Sequence, residues 1–132
     1  MLQDSMSENI QASMIEVRQS PFHGRGLFAT VSISKGQVIA VYPMLILSEE
    51  DTEAVRKTRL YHYVFYVDEN AEGKMRAAIA FGLISMCNHS PEANAVFEVD
   101  SEAQTVTLSA GQDIPASTEI LIDYEEFAEE AI

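Results

Sequence analysis

A polar cluster follows an apolar run in the segment ISMCNHSPEAN, residues 84–94. Asn88 and Asn94 can donate and accept amide hydrogen bonds, and His89 can do the same through its ring or backbone. Such a cluster either holds a polar ligand at the edge of a core or forms a satisfied polar corner where a buried element ends. Taken alone, these residues favour the polar corner, because buried polar groups are usually hydrogen-bonded within the protein.

Two further segments contain residues suited to ligand binding. The segment GRGLF begins at Gly24, and its two glycines would let a ligand approach the backbone because no Cβ stands in the way. The segment EILIDY ends at Tyr124, a residue type that usually packs in a core with its hydroxyl satisfied. No strand-turn-helix unit surrounds the glycines, so they do not form a Rossmann fingerprint. The ordinary interpretations are a β-turn and a packing tyrosine.

Histidine and cysteine usage argues against a metal centre. The three histidines, His23, His62 and His89, show no ligand spacing. Cys87 is the only cysteine, so the chain can form neither an internal disulfide nor a zinc site built from thiolates. We therefore predict no metal site and a reducing compartment, cytoplasmic or nuclear, although the sequence is also compatible with secretion into a host.

The composition favours one globular domain with an acidic surface. The chain has 132 residues, of which 47% are hydrophobic, and no apolar stretch approaches the roughly 20 residues of a membrane-spanning helix. The net charge of −13 argues against a phosphate backbone as a partner, so we predict no direct nucleic-acid binding and no membrane association. The same charge would attract lysine-rich peptides, although acidity that only keeps the protein soluble is the simpler interpretation.

The elements that must position these residues are mostly short strands. One helix is predicted to begin after Ser48, which can cap it, and to end near Arg59. Gly36 is predicted to take a positive φ in a tight turn. No βαβ rhythm is present, which argues against a parallel doubly wound sheet. Alternating or β-branched segments predict strands at 14–20, 27–29, 37–47, 61–68, 75–80, 95–99, 105–108 and 119–124. The strands at 95–99 and 105–108 are predicted to pair as a hairpin.

The two ends of the chain are predicted to lie outside the strands, and two internal segments resemble each other. Residues 1–13 are polar and aperiodic and are predicted to form a flexible arm, and residues 125–131 are predicted to add one acidic helical turn. The segment 33–39 resembles the segment 114–120, because each places a turn before an apolar strand. Chance alone could produce a similarity this short.

Taken together and in this order, the segments resemble the SET-domain protein lysine methyltransferases from about Ile15 to Tyr124. GRGLFA with ISKGQVIAVY is similar to that family's first motif, NHSPEAN to its Asn-His-Ser-x-x-x-Asn signature, and DIPASTEILIDY to its closing motif. The resemblance implies a mainly β SET-domain fold, β-clip-like, with several small sheets, one or two short helices and a knot-like C-terminal threading. It implies a single SET domain over residues 14–132, after the arm.

The resemblance also implies S-adenosylmethionine as the cofactor and assigns roles to individual residues. Tyr124 would be the catalytic tyrosine, and Tyr42 would line the lysine channel beside it. Phe97 would contact the lysine ammonium in the substrate channel. The cofactor would be bound by Arg25, Gly26, Tyr63, Asn88 and His89.

The implied chemistry needs positioning more than acid or base groups. Methyl transfer from a sulfonium to a neutral amine is an in-line displacement, so the site must align nitrogen, methyl and sulfur. Aromatic walls can guide a cationic lysine by cation–π attraction, and a poorly solvated channel lowers the pKa of the lysine towards the neutral form.

Departures from the family pattern leave a second hypothesis open. Ser117-Thr118 replaces a glycine-glutamate pair, Pro91 stands where a cysteine is common, and no cysteine-rich tail follows. The lysine channel must then be closed by Phe127 with the acidic end, by the substrate, or by a partner subunit, which is compatible with a homodimer. The leading hypothesis is an active lysine methyltransferase acting on a basic, histone-like protein. The alternatives are a catalytically impaired SET-like module that binds a basic partner and, third, a small β-rich structural domain.

Overall fold

The structure of the protein, a computed structural model, describes residues 14–124. This part of the chain is mainly β, as the sequence predicts. Two short 3₁₀ helices, at Arg59–Tyr63 and Leu83–Met86, join its strands. The remaining elements, in chain order, are β1 (Ile15–Gln19), β2 (Arg25–Ala29), β3 (Val38–Ile46), α1 (Glu49–Arg56), β4 (Val64–Glu69), β5 (Met75–Ala80), β6 (Asn88–His89), β7 (Ala95–Asp100), β8 (Thr105–Ala110) and β9 (Glu119–Ile122).

The strands form two sheets around one core. One sheet has the order β1-β2-β9-β6 and the other the order β4-β5-β3-β8-β7. The predicted hairpin of β7 and β8 is confirmed, with Phe97 opposite Leu108. Burial alternates along β8, which is the pattern of an antiparallel sheet with one face on a core. The largest fully buried side chains are Phe65, Leu27, Ile33, Ile84, Leu108, Ile114, Ile120, Ile122 and Val106.

The C-terminal strand β9 lies between an early strand and the Asn-His segment. Leu27 of β2 pairs antiparallel with Ile120, and Asn88 of β6 pairs parallel with Leu121. The side chain of Asn94 fixes this insertion, because its Nδ2 donates to the Glu119 carbonyl at 2.8 Å and its Oδ1 accepts from the Leu121 N–H at 2.9 Å. The Asn-His segment and the closing segment therefore lie side by side, as the predicted SET-domain fold requires.

The helix begins where the sequence predicts and ends earlier. Ser48 caps α1, and its hydroxyl accepts from the Asp51 N–H at 3.0 Å. The helix stops at Arg56 instead of near Arg59, because Thr58 is extended and caps a separate 3₁₀ helix by accepting from the Leu60 N–H. Among residues 14–124, no helix is long and apolar enough to cross a bilayer.

The predicted strand 61–68 is wrong over its first three residues. Residues 61–63 belong to the first 3₁₀ helix, and β4 begins only at Val64. Val64 pairs with Ile79, and β5 ends at the next residue, Ala80. Tyr61 and His62 would therefore lie beyond the end of β5, and β propensity without a partner strand does not make a strand.

Other strand boundaries differ from the prediction by one or two residues, and two of these differences have a clear structural cause. β9 ends at Ile122 instead of Tyr124, because the Tyr124 N–H donates to the Nδ1 atom of His89 at 3.1 Å instead of continuing the ladder. β2 begins at Arg25, inside the predicted turn, because Arg25 pairs with Gln19 of β1. The predicted arm at 1–13 and the acidic turn at 125–131 lie outside the described residues.

The internal similarity has a structural counterpart. Ile33 and Ile114 form an isolated antiparallel bridge, with both N–H···O distances at 2.8 Å. Gly36 has the predicted positive φ of 86°, and Ser117, three residues after Ile114, has a φ of 66°. The two segments therefore share a turn geometry and pair with each other, and Ser117 takes a conformation that favours glycine.

Candidate functional site

A cleft of about 660 Å³, named here the Asn88 cleft, opens beside β6. Five parts of the chain form its walls: the turn before β2 with the first residue of that strand, each of the two 3₁₀ helices, β6 and the residue Tyr124. It is lined by His23, Gly24, Arg25, Arg59, His62, Tyr63, Ser85, Met86, Asn88, His89 and Tyr124. The structure thus brings together four of the five residues predicted to bind a cofactor, and it adds the predicted catalytic tyrosine.

A second cleft of about 570 Å³, named here the Tyr66 cleft, adjoins the first. Its lining residues include Val64 and Tyr66 of β4 and Met75 and Ala77 of β5. His62, His89 and Tyr124 line both clefts. Two ligands bound in the two clefts would therefore meet at Tyr124.

Tyr124 is held in place by contacts on three sides. Its hydroxyl donates to the Cys87 carbonyl at 3.3 Å, and its N–H donates to His89. Its ring centroid lies 5.2 Å from that of Phe65 and 6.3 Å from that of Phe97. Burial, with smaller contributions from Cys87 and Tyr63, raises the pKa of the Tyr124 hydroxyl well above its usual value. The hydroxyl is therefore neutral at physiological pH, and its oxygen lone pairs remain as acceptors.

The side-chain amide of Asn88 forms hydrogen bonds within the protein. Its Nδ2 atom lies 3.2 Å from the His23 carbonyl, 3.1 Å from the Arg25 carbonyl and 2.8 Å from the Glu119 carboxylate. These contacts tie the turn before β2 to β6 and β9. The Asn88 side chain therefore shapes the wall of the Asn88 cleft, whatever the cleft binds.

The two glycines of the GRG turn have different surroundings. A Cβ on Gly26 would lie 2.2 Å from the Glu119 carboxylate, so the close approach at Gly26 is made by a side chain of the protein. Gly26 does not line the Asn88 cleft, whereas Gly24 does, and a Cβ on Gly24 would meet nothing within 4 Å. The backbone open to a ligand is therefore at Gly24, two residues before the predicted position.

Glu119 and Ser20 form a buried hydrogen-bond network that sequence reasoning missed. The Ser20 hydroxyl donates to the Glu119 carboxylate at 2.8 Å and accepts from the N–H groups of Phe22 and His23. Glu119 is only 6% exposed, and the network fixes the turn that carries His23 and Gly24 into the Asn88 cleft. A single glutamate at the head of the apolar strand EILI is the sequence signal that could have identified it.

The two predicted channel residues, Phe97 and Tyr42, are not among the residues that line the two clefts. Phe97 is 6% exposed and packs edge-on against Phe65, with ring centroids 5.2 Å apart. Tyr42 lies on β3 against Gly82, where an added Cβ would be 2.1 Å from its ring, and it lines neither of the two clefts. Burial, with a smaller contribution from Cys87, raises the pKa of Tyr42 to about 12. Their contact with a substrate lysine stays a prediction.

Known proteins are similar to this chain in sequence and in fold. A Schizosaccharomyces pombe histone-lysine N-methyltransferase, H3 lysine-37 specific, is 29% identical over 113 residues, which is 85% of this chain and 74% of that protein. A Plasmodium falciparum protein that is a candidate histone methyltransferase superposes with a TM-score of 0.67 at 23% identity, over 86% of this chain and 94% of that one.

A third comparison gives the same fold. The Neurospora SET-domain protein DIM-5, a histone lysine methyltransferase, superposes with a TM-score of 0.66 at 22% identity, over 83% of this chain and 51% of that one. The sequence pattern of the SET domain matches residues 24–125, which include the turn at Gly24, the Asn-His segment and the strand β9. The chain therefore belongs to the SET-domain family.

Proposed function

We propose that this protein is an S-adenosylmethionine-dependent methyltransferase that acts on lysine side chains of a basic, histone-like protein. The observation that carries the proposal is the junction of the Asn88 cleft and the Tyr66 cleft at Tyr124. A group-transfer enzyme needs two ligands whose reactive ends meet in line, and this junction offers such a place. The names of the S. pombe and Neurospora proteins support histone lysine as the acceptor.

The Asn88 cleft suits an adenosyl ligand with an amino-acid end. It has a volume of about 660 Å³, open backbone at Gly24 and the ring of Tyr63, which is 44% exposed and available for stacking. Arg25, Tyr63, Asn88 and His89 would hold the cofactor there, with Gly26 supporting the wall through Glu119. When bound, S-adenosylmethionine supplies an electrophilic methyl group on a sulfonium.

Tyr124 would orient the acceptor amine. Because its hydroxyl donates to the Cys87 carbonyl, the oxygen lone pairs are free to accept a hydrogen bond from the amine. Its raised pKa keeps the hydroxyl protonated, so Tyr124 acts by alignment and not as a general base. A hydrogen bond from the amine directs the nitrogen lone pair, which is the alignment that an in-line displacement needs.

The acceptor side combines long-range and local attraction for lysine. A net charge of −13 attracts a lysine-rich segment at a distance. Within the Tyr66 cleft, the rings of Tyr61, Tyr66 and Tyr124 can receive the ammonium by cation–π attraction. Desolvation next to these rings lowers the pKa of the lysine, which favours the neutral nucleophile.

Two measurements test the proposal. Calorimetry should show S-adenosylmethionine binding, and radiolabelled methyl transfer should be seen on core histones but not on histones whose lysines have been chemically acetylated. Cofactor binding with no transfer to histones or to a lysine-peptide array would instead support a module that binds a basic partner. That alternative is favoured by the Ser117 turn, which departs from the family pattern and has a φ of 66°. Absence of cofactor binding would contradict both.

A further inference from the structure

The Asn88 cleft carries charges of the opposite sign to the whole protein. The chain has 21 acidic residues, 8 lysines and arginines, and three histidines. Arg25, Arg59 and all three histidines line this one cleft, and no acidic residue of the described chain is among its lining residues. Glu119 and Asp123 lie close behind the wall, but Glu119 accepts hydrogen bonds from Ser20 and Asn88, and Asp123 lies 3.5 Å from His89.

The arginines differ in whether they form an ion pair with a carboxylate. Arg18, Arg56 and Arg76 each form an ion pair with a nearby carboxylate, to Glu16, Glu53 and Asp68 respectively. Within residues 14–124, the other two arginines, Arg25 and Arg59, have no carboxylate partner, and both line the Asn88 cleft. Two unpaired guanidinium groups at one concave surface of a strongly acidic protein form a site arranged for an anion.

Arg59 reaches the cleft from an element that the motifs do not include. It begins the first 3₁₀ helix, directly after its cap Thr58, whereas Arg25 begins β2 on another wall. Both arginines are exposed. A ligand between them would therefore meet guanidinium groups from two separate elements.

We propose that Arg59, together with Arg25, binds the carboxylate of the cofactor and thereby sets its orientation in the cleft, an inference that rests on the function proposed above. The α-carboxylate is the one anionic group of S-adenosylmethionine, and a guanidinium can bind a carboxylate through two parallel hydrogen bonds. The sulfonium is cationic, so the same arginines repel it. Together these effects place the carboxylate at the arginines and direct the methyl group towards Tyr124, where the two clefts meet.

Calorimetry with two ligands tests the assignment. Arg59→Gln should weaken S-adenosylmethionine binding by about 10-fold or more, because a charge-assisted hydrogen bond is lost. The same variant should bind decarboxylated S-adenosylmethionine within about twofold of the wild type, because that ligand has no carboxylate to lose. Arg59→Lys should recover part of the loss, since it keeps the charge without the planar fork.

Arg56→Gln is the matched control. It removes the same charge three positions earlier, from an arginine that pairs with Glu53 and does not line the Asn88 cleft. It should leave both affinities unchanged. Equal losses for the two ligands in Arg59→Gln would overturn the inference, because they would show a structural effect.

The remaining outcomes separate this inference from the proposed function. If the wild-type chain binds S-adenosylmethionine and Arg59→Gln does not change the affinity, the inference fails and the proposed function stands. If the wild-type chain does not bind S-adenosylmethionine, both fail. ADP bound more tightly than S-adenosylhomocysteine by the wild-type chain would assign the arginines to phosphate instead of carboxylate.

Discussion

At the scale of single residues, the proposed chemistry depends on groups that are neutral, buried and held by the backbone. Tyr124 shows this most clearly, because its hydroxyl bonds to the Cys87 carbonyl and its N–H bonds to the ring of His89. A tyrosine with so many contacts could be a packing residue with no chemical role. Removing the hydroxyl while keeping the ring separates the two interpretations.

Tyr124→Phe is expected to fold and to bind S-adenosylmethionine while losing most methyl transfer. The ring contacts with Phe65 and Phe97 survive the change, and the lost hydroxyl contributes only about 1 kcal/mol to stability. Radiolabelled turnover, cofactor calorimetry and thermal unfolding of the same preparation measure the three properties. Wild-type turnover would remove Tyr124 from the mechanism, and loss of the fold would make it structural.

Phe97 is expected to influence how many methyl groups are added. A phenylalanine leaves apolar space near the amine, whereas a tyrosine hydroxyl at that position would hold the amine or a water and restrict further methylation. We expect the wild-type protein to give products beyond monomethyl-lysine, and Phe97→Tyr to shift the products towards fewer methyl groups. Mass spectrometry of a methylated peptide checks both, and a strictly monomethyl product from the wild type contradicts the idea.

Asn88→Ala is expected to weaken cofactor binding and also to destabilise the fold, whereas His89→Ala should mainly affect binding. The Asn88 amide bonds to two backbone carbonyls and to the buried Glu119, and leaving a buried acceptor without a partner costs about 1–3 kcal/mol. Urea unfolding and cofactor calorimetry of both variants separate the two effects. Unchanged affinity in both would show that neither side chain contributes to cofactor binding.

At the scale of elements, the paired turns before β3 and β9 hold in place the strands that support the Asn88 cleft. The bridge between Ile33 and Ile114 joins them, and β9 then carries Glu119 under Gly26 and Asn88. The turn before β9 departs from the family pattern at Ser117, yet it keeps a backbone conformation that suits glycine. Ser117 therefore holds a strained backbone conformation that a glycine would adopt without strain.

Ser117→Gly should raise the free energy of unfolding by about 0.5–1 kcal/mol. Relief of the positive φ, worth about 1–2 kcal/mol, is partly offset by the greater freedom of glycine in the unfolded chain. Gly36→Ala is the matched change at the equivalent position, where φ is 86°, and should destabilise by a similar amount. Urea unfolding of both variants measures the effect, and a destabilised Ser117→Gly would show that the Ser117 side chain makes a favourable contact.

At the scale of the whole molecule, the net charge of −13 acts on partners before any contact forms. A lysine-rich peptide is attracted by the field of the entire surface, and dissolved salt screens this attraction over roughly 10 Å at 0.1 M ionic strength. The basic Asn88 cleft is a local exception to this negative charge. One acidic protein can therefore attract a cationic substrate and still offer cationic groups to a cofactor.

Association with a lysine-rich histone-tail peptide is therefore expected to weaken as salt rises from 50 to 500 mM, with no binding of duplex DNA. Fluorescence anisotropy with labelled peptide and labelled duplex measures both, and the association rate should fall more than the dissociation rate rises. Peptide binding that does not depend on salt, or tight binding of the duplex, would contradict the electrostatic argument.

The sequence alone determined much of the fold, because many of its elements depend on local residue patterns. The cap at Ser48, the turn at Gly36 and the hairpin of β7 and β8 follow from neighbouring residues, and the structure confirms all three. The order of the motifs identified the family from about Ile15 to Tyr124, and the family match over residues 24–125 confirms it.

Only the tertiary structure decided which groups meet. Residues 61–63 have strand propensity and form a 3₁₀ helix, and β5 ends at Ala80, too early to pair with Tyr61 and His62. Glu119 lies under Gly26, 93 positions earlier in the chain, and Arg59 joins Arg25 in one cleft although no motif connects them. These contacts arise because β9 is inserted between β2 and β6, and the packing of segments distant in sequence depends on the whole fold and not on any local pattern.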